Sequence, residues 1–215
     1  DTLYTELNVF EKFNPIIPES YKKTAYVFLA NIDPDLQRKV LEQITRPRLV
    51  VGDTMNFWIS GKMDSLRATM KLLDVLILND AEAREMTREA NLIRAAKAII
   101  RMGPKIVVIK KGEHGAMMVT EQTIFSAPAY PLETINDPTG AGDAFAGGFT
   151  GWIARTDDLS ENNIKRAVIY GSTLASFCVE RFGLDRFIDL TYLEIQDRFR
   201  EFRGLSRFDE ELTSS

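Results

Sequence analysis

The residues of this 215-residue chain best suited to do chemistry stand together between positions 136 and 148. They read Asn-Asp-Pro-Thr-Gly-Ala-Gly-Asp-Ala-Phe-Ala-Gly-Gly. Asp137 precedes Pro138, and a residue before proline is pushed out of helical geometry. Gly140 and Gly142 then permit a tight turn with no side chain over its backbone. From Ala141 onward the residues suit a helix, so the turn opens directly into a helix N-terminus. Free backbone N–H groups and the positive end of the macrodipole converge there, which makes a ready anion site. Asp143 lies in the first turn. A carboxylate built into an anion site is poorly placed to hold a phosphate alone. It is well placed as a base beside a developing negative charge.

Two other glycine patterns fail. A dinucleotide fingerprint begun at Gly140 needs glycine where Phe145 stands. A P-loop begun at Gly142 finds its second glycine at Gly147, but Gly148 and Phe149 occupy the places of the required Lys and Ser/Thr. An oxidoreductase built on a dinucleotide site is thereby set aside.

The elements that must position this stretch follow from the apolar pattern. Continuous apolar runs at residues 24–30, 49–51, 75–78 and 106–109 have strand length and suit parallel strands covered on both faces. Between them lie helical patterns. The first follows an Asp33-Pro34 cap and first-turn proline, with Leu36, Val40, Leu41 and Ile44 on one face. Residues 66–73 read as a second helix. A helix pair across 81–102, with Leu92, Ile93, Ala96, Ile99 and Ile100 at core spacing, is stopped by Gly103-Pro104. Residues 116–119 and 124–126 form shorter antiparallel pieces. Helices follow at 142–155, 164–179 and 191–203. Residues 5–10 have strand-like content. Alternating strands and helices imply βαβ units and a parallel sheet. Ligands in such sheets bind off the carboxyl ends of the strands. That rule nominates Asn31, residues 53–56, 79–82 and 110–115.

Asn79-Asp80-Ala81-Glu82 reads, on spacing, as an N-cap with an acidic first turn. Lys110-Lys111-Gly112-Glu113-His114-Gly115 reads either as a charged hairpin turn or as a loop whose lysine meets phosphate as a point charge. His114, the single histidine, reads as a turn residue. Asp137 and Thr139 suit an Asx-type turn.

Composition narrows the function classes. Hydrophobic residues at 45% and charged residues at 27% are ordinary for a globular domain. A net charge of −4 argues against nucleic acid or an anionic membrane as the main partner. The single cysteine, Cys178, has no internal disulfide partner, so a reducing cytoplasm is the expected compartment. Within its helical pattern it reads as a small buried hydrophobe.

The string from Asp137 to Asp143 resembles the C-terminal signature of the ribokinase-like (PfkB) carbohydrate kinases, of the form Asp-Thr/Pro-x-Gly-Ala-Gly-Asp. The resemblance implies a three-layer α/β/α fold with a mostly parallel sheet. It implies ATP-dependent phosphoryl transfer to a sugar hydroxyl, with Asp143 as base and Gly140, Ala141 and Gly142 as the anion hole. A nucleoside kinase of the same family and a non-catalytic nucleotide-binding relative are the alternatives. Asn79 and Glu82 resemble the family's Asn-x-x-Glu motif, which organises Mg²⁺ largely through water. Lys110, Gly112 and Gly115 match the strand-end loop that lines the nucleotide phosphates, with Lys110 where threonine is common. Asp137 and Thr139 match a loop that binds a monovalent cation, K⁺ in such kinases. Ser172 to Gly183 match the segment flanking the adenine, so Thr139, Ser172 and Phe177 join the expected nucleotide site. The family's first strand, with its substrate-binding Asp, and its β lid have no counterpart here. One α/β domain is expected, with residues 1–23 as the end of the lid region, 24–205 as core and 206–215 as a tail. The chain is expected to be part of a longer polypeptide whose lid would form a homodimer.

Overall fold

The computed structural model describes residues 6–10 and 12–207. Aliphatic runs with no polar face form four parallel strands: β1 (Tyr26–Leu29), β2 (Leu49–Asp53), β3 (Val75–Asn79) and β4 (Ile106–Lys110). Two antiparallel strands, β5 (Ala116–Val119) and β6 (Ile124–Ala127), continue the sheet, and the six lie side by side in chain order. Along β3 successive side chains leave opposite faces. Leu76 and Leu78 enter one core, Val75 and Ile77 the other.

The first core is covered by α1 (Pro34–Leu41), α3 (Met63–Met70), α4 (Asp80–Thr87) and α5 (Leu92–Ile100), through Leu66, Met70, Ala83, Met86, Ala96 and Ile99. The second is covered by α6 (Ala141–Thr156) and α7 (Glu161–Cys178), through Phe145, Phe149, Ile153, Ala167 and Val168. Helices on both faces of a mostly parallel sheet make the expected three-layer α/β/α architecture. The two helices of the second layer approach closely. A Cβ on Gly148 would lie 2.9 Å from the Tyr170 carbonyl oxygen, and one on Gly171 2.8 Å from that of Phe145. α9 (Tyr192–Leu205) packs on α7, its N-terminus closed by a Thr191–Glu194 capping box.

Three local expectations change. Residues 8–10 form a one-turn 3-10 helix (Asn8–Phe10), and position 5 lies outside the described residues. Among the described residues no strand precedes Tyr26; a second 3-10 turn (Glu19–Tyr21) stands in the segment expected to end a β lid. Two short helices add to the pattern, α2 (Asn56–Gly61) after β2 and α8 (Asp185–Asp189) before α9. Most of the expected tail lies outside the described residues.

Candidate active site

The parallel register fixes the site before any side chain is considered. Asn79 pairs with Lys110 and Asp53 with Ile77, so β2, β3 and β4 end together at one rim. The connection into α6 supplies the glycine-rich turn. Asp137 starts it: its Oδ1 accepts from the Thr139 N–H at 2.9 Å and its Oδ2 from the Gly183 N–H at 3.2 Å. These bonds, the Thr139 amide foremost, hold its carboxyl below the usual carboxylate range. Gly140 then takes φ 79°, ψ −4° as the N-cap of α6. That left-handed conformation suits a residue without Cβ.

The Ala141 N–H donates to the Pro138 carbonyl at 3.2 Å, so this amide is spent inside the turn. This corrects the expected anion hole. Within the turn, the N–H groups of Gly140, Gly142 and Asp143 make no hydrogen bond to the described residues. Asp143 stands exposed in the first helical turn. Behind the turn, the Cys178 Sγ donates to the Thr139 carbonyl at 3.6 Å and lies 3.7 Å from where a Gly140 Cβ would be. Burial pushes that thiol up, so Cys178 is the inert packing residue its pattern implied.

Lys110 reaches this site from the end of β4. Its Nζ lies 3.0 Å from where a Gly142 Cβ would be, so only glycine at 142 leaves the ammonium its place over the helix N-terminus. The same Nζ donates to Asp53 Oδ2 at 3.3 Å. Asp53 is 5% exposed, and its Oδ1 accepts from the Thr54 N–H at 2.7 Å. Burial pushes the Asp53 carboxyl up, and the Lys110 charge pulls it part of the way back. Buried Gln37 ties its Nε2 to the carbonyls of both Ala30 and Asp53 at 3.0 Å, joining the ends of β1 and β2. Thr54 Oγ1, beside Asp53 in the chain, is buried with no hydrogen-bond partner among the described residues.

Asn79 and Glu82 form a reciprocal capping box at the start of α4. The Glu82 N–H donates to Asn79 Oδ1, and the Asn79 N–H to Glu82 Oε2, both at 2.8 Å. Glu82 Oε1 carries no hydrogen bond among the described residues. Burial pushes the Glu82 carboxyl up, against the Asn79 amide bond. The capping reading of this pair is therefore present in the structure, and one carboxylate oxygen is left over.

Other expected site residues fall differently. Gly112 (φ 55°) opens a 3-10 turn and Gly115 (φ 81°) closes it, so both glycines serve the backbone of the loop. His114 is an exposed turn residue. Ser172 and Phe177 are buried in α7. The Phe177 ring is 2% exposed and lies under the guanidinium groups of Arg198, at 3.5 Å, and Arg186, at 4.9 Å. Arg198 of α9 covers that ring, which makes Phe177 a core residue in this structure. Phe182, 79% exposed, stands beside the Gly183 that donates to Asp137. The Asp137 carboxylate accepts one backbone amide on each oxygen and forms the Asx-type turn. Gln37 carries no spacing signal, and Asp53 is nominated by the strand-end rule alone.

An anion site at a glycine turn, a first-turn carboxylate and a strand-end lysine meet at one rim, and similarity decides their context. The chain matches the model of the pfkB family carbohydrate kinases over residues 19–189. The chain belongs to that family. It is 34% identical over 161 residues to a cytidine kinase of Thermococcus kodakarensis, covering 73% of this chain and 58% of that protein. The fold is that of the Methanocaldococcus jannaschii nucleoside kinase (TM-score 0.71, 20% identity, 90% of this chain and 60% of that one). It is also that of the Salmonella enterica aminoimidazole riboside kinase solved with aminoimidazole riboside and an ATP analogue (TM-score 0.59, 20% identity, 81% and 57%). The chain thus spans less than two thirds of these proteins.

Proposed function

We propose that this chain carries the phosphoryl-transfer centre of an ATP-dependent kinase acting on a primary hydroxyl of a sugar or nucleoside. The observation that carries the reading is the joining of three groups at the start of α6. Free amides at Gly140, Gly142 and Asp143, the Asp143 carboxylate and the Lys110 ammonium share one helix end. Phosphoryl transfer asks a protein chiefly for positioning and for stabilisation of charge on the transferred group. The amides and the ammonium supply that charge. Asp143 accepts the proton of the acceptor hydroxyl as its oxygen bonds to the γ-phosphorus. The bond from that phosphorus to the β,γ-bridging oxygen breaks, and ADP leaves with the electron pair.

Glu82, through its free Oε1, and Asn79 would hold Mg²⁺ by way of water, and the ion would supply positive charge to the phosphates. Gly112 and Gly115 shape the loop beside Lys110. Phe182 is the exposed ring near the turn that a nucleotide base would meet. A ribose-bearing acceptor is favoured by the relatives, among them a cytidine kinase. A free sugar is the second reading, favoured by the family model.

The test uses the full-length protein. Kinase assays across nucleosides, pentoses and hexoses should find one acceptor class. Asp143→Asn should then lower turnover by about 10²–10⁴-fold, the usual contribution of a general base, while ATP affinity stays within a few-fold. Near-normal turnover in the Asn variant would remove Asp143 from the mechanism.

A further inference from the structure

The Lys110 ammonium occupies an electrostatically awkward place. It lies over Gly142, in the first turn of α6, where the macrodipole is positive and a cation is on the wrong end of the helix. The amides of Gly140, Gly142 and Asp143, at the same helix end, make no hydrogen bond to the described residues and add their own partial positive charge. A flexible lysine free to choose would swing into water. This one is held by Asp53, whose Oδ2 accepts from Nζ at 3.3 Å.

Asp53 is itself fixed on every side. Its backbone is in β2, its carbonyl accepts from Gln37 and its Oδ1 accepts from the Thr54 N–H. Such a buried pair does not recommend itself on stability. The desolvation of two charges commonly cancels their attraction, and apolar residues of similar size do as well. What the pair achieves is placement: a cation kept where no anion yet compensates it.

We infer that Asp53 is a positioning residue for phosphoryl transfer, anchoring the Lys110 ammonium over the Gly142 amide so that the phosphate site holds its positive charge before nucleotide arrives. This rests on the reading of the site as an ATP site. Asp53 touches no reacting atom and acts through Lys110. An incoming phosphate finds two kinds of donor already aimed, and neither has to be recruited from solvent.

The experiment is a double-substitution cycle in the full-length protein, with ATP affinity read by calorimetry and kcat and KM read with ATP varied. Asp53→Asn keeps the shape and the acceptor for the Thr54 N–H, and removes the charge that holds Lys110. It should weaken ATP binding and kcat/KM by about tenfold to hundredfold, the range found when a group that orients a ligand-binding side chain is removed. Lys110→Met should cost at least as much. The double variant should be no worse than Lys110→Met, because Asp53 has nothing left to position and its own charge would only repel phosphate.

A merely structural Asp53 predicts otherwise: losses that multiply in the double variant, and a melting temperature that falls with them. If Asp53→Asn does not fold, comparison of Lys110→Met with the double variant still decides, since removing both charges together leaves neither buried alone. The inference is overturned if Asp53→Asn binds ATP within about twofold of the parent, or if the double variant is tenfold weaker than Lys110→Met. A parent that binds no ATP overturns the kinase reading as well. A parent that binds ATP with variants that do not respond overturns this inference alone.

Discussion

A single methyl group separates the catalytic from the structural account of the glycine turn. Gly142 sits in the first turn of α6, and its φ is outside the left-handed region, so alanine fits the backbone. In a helix, alanine is favoured over glycine by up to about 1 kcal/mol. Among the described residues, the only neighbour the new Cβ would meet is the Lys110 side chain, with Nζ at 3.0 Å and Cε at 3.9 Å. That is the far end of a flexible chain, which gives way at little cost. Gly142→Ala should therefore leave stability unchanged or raise it, a gain of about 2–4 °C in melting temperature for each 1 kcal/mol in a domain of this size. The effect on the reaction has the opposite sign. On the proposed reading a phosphate oxygen must come within about 2.9 Å of the N–H, and the methyl group crowds that approach and shifts Lys110 by a few tenths of an ångström. Losing one such donor costs about 10²–10³-fold in kcat. Calorimetric melting and single-turnover phosphorylation on the same preparation measure both quantities. A turnover within threefold of the parent, or a melting temperature that falls in step with activity, would refute the placement of the phosphate on this turn.

Two further outcomes test the margins of the site and the fold. Glu82→Gln keeps an acceptor for the Asn79 N–H and removes the charge of the free oxygen; it should raise the Mg²⁺ concentration for half-maximal rate more than it weakens metal-free nucleotide binding. An unchanged magnesium titration would leave Glu82 with its capping role alone. The second concerns pH. Hydrogen bonds from Thr191 and then Arg186 hold the Glu194 carboxyl down to about 2, against an ordinary 4.5. A folded-state value below the unfolded one means that the unfolded chain binds the proton first. The stabilisation is complete above about 4.5 and is lost as pH falls toward about 2. Urea melts between pH 6 and 3 should show that loss, with a shallower slope in Glu194→Gln; identical slopes would mean that the box at the start of α9 does not respond to charge.

Much of this was legible in the chain because it is local. Val75 to Leu78 and Ile106 to Ile109 announce buried strands by lacking any polar face. Asn79 and Glu82 announce a capping box by spacing, and Gly140 to Asp143 announce a helix start. What was not legible depends on partners distant in sequence. Asp53 is 57 residues from the lysine that explains it, and nothing in Gly-Asp-Thr says that its carboxylate is buried against a cation. Whether Phe177 is core or wall depends on Arg198, which arrives with α9, distant in sequence. α2 escaped notice because its N-cap, Met55, makes no side-chain bond, so the usual start signal is missing. Ala141 shows the limit within a motif: its amide is identical in type to that of Gly142, and only the turn geometry decides that Pro138 consumes it.

The contact of α6 with α7 through Gly148 and Gly171 has a mechanical meaning for the reaction. Two helices in backbone contact leave no side-chain cushion to compress, and packed interiors do not deform continuously. α6 is thus pinned where Gly148 meets α7 like a beam set in a wall, and its free end is the turn from Gly140 to Asp143. The amides there have almost no travel of their own. Charge stabilisation by fixed dipoles is effective to the extent that the dipoles need not reorient when the charge appears. The stiffness of a helix pair on the far face of the sheet therefore lowers the reorganisation required at the phosphate.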